Sequence, residues 1–320
     1  IAILFPILNE TLPRALFIIA VLAFLAAVNI RGVKAGVRLY VFNTFAKLIP
    51  LVLLLVVGLF AIDPANLAIP EWPSASSIAA STILLFYAFA GAESALSASG
   101  EIKNPSRTVP FGLLLGLIGI LLLYIGLQTV SQGVLGVELA NNTKAPLVAV
   151  ATEVFGEWGG KMLIVGAVIS IYGSLSGDML GGPRVVFASA RDNNLPKILS
   201  TVHPEYKTPN VAIVFFASVV AVFALSGSFK YLALVATGSL LLIYMGVSLA
   251  VIRLRQRDGM PGEGLFRVPF GLLIPILSCL FVGWLLWQLP QDEAMTVGGL
   301  VVACIVVHLL RSVFRNRKMI

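Results

Sequence analysis

Long apolar runs, broken at intervals by short stretches rich in charge, glycine and proline, dominate the chain. Nine stand out, at residues 14–30, 38–62, 76–99, 110–132, 158–190, 208–227, 229–252, 268–289 and 294–311. A hydrocarbon core about 30 Å thick is crossed by about 20 apolar residues in helical form. Each run is therefore expected to form a membrane-spanning helix. Residues 1–12 are expected to be the outer end of a preceding helix and an extracellular loop. Residues 13–311 are expected to hold the nine helices, and residues 312–320 a basic cytoplasmic tail. The pattern calls for an all-α polytopic membrane protein, because a helix satisfies its own backbone polar groups in lipid.

Composition supports this reading. The 320 residues are 58% hydrophobic and 12% charged, with mean hydropathy +0.98, whereas a soluble domain carries about 25% charge. The net charge of +7 is read through its placement. One alternating set of connections holds Arg31, Lys34 and Arg38; Lys103 and Arg107; Arg184, Arg191, Lys197 and Lys207; and Arg253, Arg255, Arg257 and Arg267. The tail adds Arg311, Arg315, Arg317 and Lys318. The opposite set is mostly acidic, with Asp63, Glu71, Glu138, Glu153, Glu157, Asp292 and Glu293. By the positive-inside rule the basic face is cytoplasmic, so the C-terminus is inside and residue 1 outside. The charge is thus a topology signal, and no nucleic-acid partner is expected. The chain begins at Ile1 without a charged n-region or a small-residue cleavage site, and is expected to be a C-terminal portion of a longer protein. Cys279 and Cys304 lie in apolar runs, and His203 and His308 are far apart. No disulfide framework, metal site or cofactor is expected.

Three ionisable residues stand well inside the runs: Lys47, Glu93 and Asp178. A charge at mid-membrane costs about 2.5–3.5 kcal/mol on insertion scales, so each needs a partner, a water-filled cavity or a changed protonation state. Glu93 follows Ala88, Phe89, Ala90, Gly91 and Ala92, where Gly91 weakens a helix by about 1 kcal/mol relative to alanine. A helix broken there would present backbone carbonyls, tolerated in a membrane only where they line a cavity and able to accept from an ammonium group. A close helix contact at Gly91 is the alternative reading. The fifth run crowds Gly173, Ser174, Ser176, Gly177, Gly181 and Gly182 ahead of Pro183. Such a cluster suits close helix packing or a mobile element beside a translocation path, and Asp178 in its midst favours the second.

Three segments resemble the amino acid-polyamine-organocation (APC) transporter superfamily, in particular bacterial amino acid permeases and antiporters. FNTFAKLIPL resembles the family's fifth helix. FYAFAGAESALSASGEIKNPSRTVP resembles its sixth helix and the following loop, and GSLSGDMLGGPRVVFASARDNNLP its eighth helix and exit. The resemblance implies a twelve-helix fold with a five-plus-five inverted repeat, of which this chain would supply helices 4 to 12 and lack the first three. It implies that Ala88, Phe89, Ala90 and Gly91 are an unwound segment whose carbonyls accept from a substrate amino group, and that Tyr87 closes over the substrate. Glu93 matches a glutamate linked to proton sensing. Lys47 matches a lysine that replaces a sodium ion, with Ser174 as its neighbour. Asp178 departs from the family pattern and is expected either to pair with Lys47 or to face the cavity and attract a cationic substrate.

The expected function is secondary active transport of an amino acid or related amine, sodium-independent, and coupled to protons or to exchange. The expected partners are a small-molecule substrate, protons and the lipid bilayer of a cell membrane. The sequence contains no G-x-x-x-x-G-K-[ST] element through which it could itself use ATP. An intramembrane enzyme built on Glu93, Asp178 and Ser174 is one alternative. It is disfavoured because His308 is the first histidine inside a span. A channel or structural subunit is the other.

Overall fold

A computed structural model describes residues 5–32, 36–68, 72–91, 102–143, 145–259 and 270–316. Among them are ten α-helices and no strand: α1 Thr11–Arg31, α2 Gly36–Gly58, α3 Ala75–Ala88, α4 Pro105–Leu135, α5 Pro146–Phe155, α6 Glu157–Arg191, α7 Asn210–Ser226, α8 Phe229–Asp258, α9 Leu273–Trp287 and α10 Gln291–Asn316. Each of the nine apolar runs carries a helix. Helix starts follow local chemistry. Ser74 Oγ accepts from Ser77 N at 3.2 Å, and Ser228 Oγ accepts from Tyr231 N at 3.3 Å, occupying amides that a first turn leaves without partners. Pro105 and Pro146 stand first in α4 and α5, where a missing N–H costs nothing.

Among the described residues, five helices are long and apolar enough to cross a membrane alone: α1, α2 with its following turn, α4, α6 and α8. α9 and α10 bend by 117° across a short break and make a sixth if counted together. α3 and α7 have 14 and 17 residues, about 21 and 26 Å of helix. The run expected over 76–99 continues past α3 into residues outside the described ones. α5 falls between two expected spans. Its ten residues are too few to leave a membrane-length signal, yet Val150 and Ala151 are fully buried. It turns into α6 at Gly156, where φ +72° and ψ −169° suit glycine alone.

The helices form two compact units. The first comprises residues 1–70 and 121–226. One of its cores joins Leu22, Leu25 and Ala26 of α1 to Met179 of α6 and to Ile213 and Ala217 of α7. The other joins Leu54 of α2, Leu127 and Val130 of α4, Val150 and Ala151 of α5, and Leu163 of α6. Lipid offers no hydrophobic drive for one helix to prefer another, so close approach through small residues carries the packing. A Cβ on Gly126 or Gly133 of α4 would run into Leu55 or Ile62 of α2, and one on Gly58 of α2 would run into Val130 of α4. α2 and α4 therefore run parallel. Gly166 and Gly173 of α6 face Pro50 and Asn43 of α2, so α2 and α6 run antiparallel. These are the directions that alternating spans at 38–62, 110–132 and 158–190 require.

The second unit comprises residues 71–120 and 227–320. Its core is Ile83 of α3, Leu234, Val235 and Leu241 of α8, Val282 and Leu285 of α9, then Leu289 and Val297 at the turn into α10 and within it. Tyr231 and Thr296 tie α8 to α10 through their hydroxyls at 2.6 Å. Thr237 sits fully buried on α8, and its Oγ1 has no hydrogen-bond partner among the described residues. An orphaned buried hydroxyl costs about 1–3 kcal/mol, and an isosteric apolar group removes that cost. Thr237→Val is expected to raise the unfolding temperature of detergent-solubilised protein by about 2–4 °C. A fall in that temperature would mean that the hydroxyl has a stabilising partner.

Candidate functional site

α3 stops shortly before Glu93. The helical ladder ends at Ala88, and Phe89 and Ala90 donate back to the carbonyls of Phe86 and Tyr87, both at 3.1 Å, in tightened i to i−3 turns. Gly91 follows at φ +104°, a backbone region closed in practice to residues with a side chain. The chain thus ends its α-helix at Ala88 within an apolar run, tightens through Phe89 and Ala90, and leaves helical dihedrals at Gly91. Ala92 and Glu93 lie outside the described residues.

Tyr87 and Phe86 point to different surroundings. Phe86 packs against the core of the second unit and meets the Tyr244 ring edge-on at 5.9 Å. Tyr87 remains 36% exposed, with its ring edge-on to Phe229 at the start of α8 at 6.0 Å. Phe229 therefore holds the ring beside the break while leaving one side of it open. Ala88, Phe89 and Ala90 are half-buried and Gly91 is exposed.

Lys47, Ser174 and Asp178 belong to the first unit. Lys47 is half-buried on the face of α2 that it shares with Asn43 and Pro50, one turn from each. Since those two face Gly173 and Gly166, Lys47 lies over the stretch of α6 between them. Ser174 and Asp178 are both exposed and four residues apart, so they share one face of α6. That face also carries Ala167, Ile171, Gly181 and Val185, all exposed. The antiparallel register places Asp178 about 13 Å along the helix axis from the level of Lys47. Among the described residues the two form no ion pair, so of the two alternatives for Asp178 the pairing with Lys47 is not seen, and Asp178 stands on the open stripe with Ser174. No hydrogen bond joins Lys47 to Ser174 either.

Asn43 was passed over in the sequence. It is a half-buried amide inside a span, and it fills the space left by the absent side chain of Gly173. Its signal was available as a polar residue one helical turn from Lys47 in FNTFAK.

A family model described as "Amino acid permease" matches residues 1–310. The chain is 33% identical over 275 residues to the serine/threonine exchanger SteT of Bacillus subtilis (strain 168), covering 83% of this chain and 61% of that protein. It is 29% identical over 262 residues to the branched-chain amino acid permease BcaP of the same organism, covering 79% and 56%. It is also 31% identical over 205 residues to the cadaverine/lysine antiporter of Escherichia coli (strain K12), covering 62% and 46%. The chain thus spans about three fifths or less of the length of these curated relatives. These are transporters by name, and the intramembrane-enzyme alternative is set aside. With apolar helices of membrane length in both units and a match running over nearly its whole extent, the chain belongs to the amino acid permease family.

Proposed function

We propose that this chain forms part of a secondary transporter that moves an amino acid or a related amine, without sodium, by proton coupling or exchange. The observation that carries the reading is the end of α3 at Ala88 inside an apolar run, with tightened turns at Phe89 and Ala90 and Gly91 at φ +104°. In hydrocarbon such backbone is tolerated where it borders a polar cavity, and carbonyls at a helix break suit an ammonium group. On this reading the substrate amine docks at Ala88–Gly91 under Tyr87. Glu93, two residues on, takes up and releases the proton, and the Lys47 ammonium, with Ser174 on the facing helix, makes a sodium ion unnecessary. Asp178, on the open stripe of α6, favours substrates with a second positive charge. The relatives by name carry serine and threonine, branched-chain amino acids, and cadaverine or lysine. Their common element is the amine, so the proposal stops at that class.

The orientation proposed is a cytoplasmic C-terminus in a cell membrane. Trp72, Trp158 and Trp287 are 86%, 80% and 86% exposed, and each lies near a helix end that the charge pattern assigns to the outer face. Tryptophan gathers at membrane–water interfaces.

The test is uptake by the protein in proteoliposomes under imposed gradients. Accumulation of an intact amino acid above the outside concentration, driven by an inward proton gradient or by internal amino acid and indifferent to sodium, is expected. Uptake that follows only a sodium gradient would sink the roles of Lys47 and Glu93, and equilibration without accumulation or exchange would leave a channel. Glu93→Gln is expected to flatten the pH profile, and a normal profile would move the proton elsewhere. Asp178→Asn is expected to lower lysine and putrescine uptake relative to neutral amino acids. An unchanged ratio removes Asp178 from the substrate site.

A further inference from the structure

The first unit holds a small polar cavity that the proposed transport path does not use. It lies where α1 ends, α6 passes Pro183 and α7 begins, and has a volume of about 60 Å³. Asn29, Gly32, Arg184, Thr208 and Pro209 line it, over a floor that includes Met179 and Ile213. A hydrogen bond from Thr208 Oγ1 to the Ile30 carbonyl, 2.6 Å long, ties the α6–α7 connection to the end of α1. The connection is shaped to reach it. His203 N donates to the Thr208 carbonyl at 2.8 Å, Lys207 N donates to the His203 carbonyl at 3.0 Å, and Lys207 takes φ +55°.

The charge beside this cavity is mostly positive, with Asp178, next to the lining Met179, as the acidic neighbour. Arg184 lines it, Arg31 precedes the lining Gly32, and Lys207 precedes the lining Thr208. All three are exposed, and none is in an ion pair among the described residues, whereas the nearby Arg191 has Asp192 at 4.0 Å. Asn29 is buried and its amide nitrogen donates to the Leu25 carbonyl at 2.8 Å, which uses one of two amide hydrogens. The second hydrogen and the guanidinium of Arg184 are donors for an anion. At about 10–15 Å³ for each water-sized group, the cavity takes about four to six such groups, room enough for one tetrahedral oxyanion.

We propose that this cavity binds a phosphate group, supplied by the headgroup of an anionic phospholipid in the leaflet at this end of α6. Arginine pairs with phosphate oxygens through its planar fork, and basic pockets between membrane helices on the cytoplasmic side are suited to anionic headgroups. The apolar floor and the membrane-facing helices leave acyl chains in lipid while the phosphate enters. Free inorganic phosphate presents the same chemistry without the chains.

The experiment is native mass spectrometry and thermal unfolding of the detergent-solubilised protein, titrated in parallel with phosphatidylglycerol, phosphatidylcholine and inorganic phosphate. Phosphatidylglycerol is expected to bind and to raise the unfolding temperature, with phosphatidylcholine much weaker. Arg184→Gln is expected to lose about fivefold in affinity for phosphatidylglycerol, the worth of about one basic residue at an anionic surface. Lys207→Gln is expected to lose somewhat less, and Arg184→Lys to keep most of the affinity. Arg191→Gln, whose side chain is already paired, should bind as the wild type does. A response to inorganic phosphate equal to that for phosphatidylglycerol, and lost with Arg184, identifies a free anion as the occupant and overturns the lipid source. Equal binding of both lipids, or wild-type affinity in both Arg184→Gln and Lys207→Gln, overturns the site. Should Arg184→Gln fail to fold, Lys207→Gln and Arg184→Lys carry the same comparison.

Discussion

Gly173→Leu is expected to lower the unfolding temperature of the solubilised protein by about 5 °C or more and to reduce the yield of monodisperse protein. The side chain of Asn43 occupies the space where a Cβ on Gly173 would stand, and one turn pair away Pro50 Cγ comes within 3.2 Å of a Cβ built on Gly166. Side chains of α2 therefore press directly on the backbone of α6 at both glycines. Overpacking a close interface costs about 1–3 kcal/mol even where neighbours can yield, and here the neighbour is half-buried between two helices. In lipid no hydrophobic drive restores the contact once it is pried apart. The internal control is Gly181→Leu on the same helix, where a Cβ meets nothing within 4 Å and the unfolding temperature should hardly move. A paired test isolates the contact: Asn43→Ala should recover part of the stability lost in Gly173→Ala, because the two positions compete for one space. Equal unfolding temperatures for Gly173→Leu and Gly181→Leu would refute this account of the interface.

The same cluster shows what could be read from sequence and what could not. Gly173, Gly181 and Gly182 are one signal in the chain, small residues before a proline, open to packing or mobility, with Asp178 favouring mobility. In the structure Gly173 receives Asn43, Gly182 receives Phe216, and Gly181 meets nothing. Local spacing says that a face is small, but the partners come from other helices, Asn43 from α2 and Phe216 from α7. α6 itself was legible to within a residue at each end, because a long apolar run bounded by charge has one reading in a membrane. The register of α2 over α6 was not legible. It separated Asp178 from Lys47, two charges that composition alone invited to pair. The cavity beside Arg184 was hidden for a similar reason: Asn29 and Thr208 belong to segments brought together only by the fold. The end of α3 was half legible: Gly91 marked a place for either a break or a close helix contact, and the structure gives it φ +104° with nothing where a Cβ would stand.

That glycine supports the sharpest functional expectation. Gly91→Val should weaken substrate binding at least about tenfold, a loss of about 1.4 kcal/mol, with a smaller effect on the unfolding temperature than Gly173→Leu. Gly91 sits at φ +104° and is exposed, and a Cβ there would meet nothing within 4 Å. A steric account therefore makes alanine harmless at this position. A conformational account does not, because a residue with a side chain held in such backbone costs about 1–3 kcal/mol and a β-branched one stands at the upper end. The chain can escape that cost by extending the helix past Ala88, since valine is tolerated in an apolar helix. Extension would carry regular helix through the segment proposed to receive the amine. The expected series is graded, with Gly91→Ala weakening binding by about fivefold, near 1 kcal/mol, and Gly91→Val by more. Tryptophan fluorescence or scintillation-proximity binding on the purified variants reads the dissociation constants directly, apart from transport rate. Wild-type affinity in Gly91→Val would mean that the backbone of Phe89–Gly91 is not where the amine docks, whatever the family resemblance suggests.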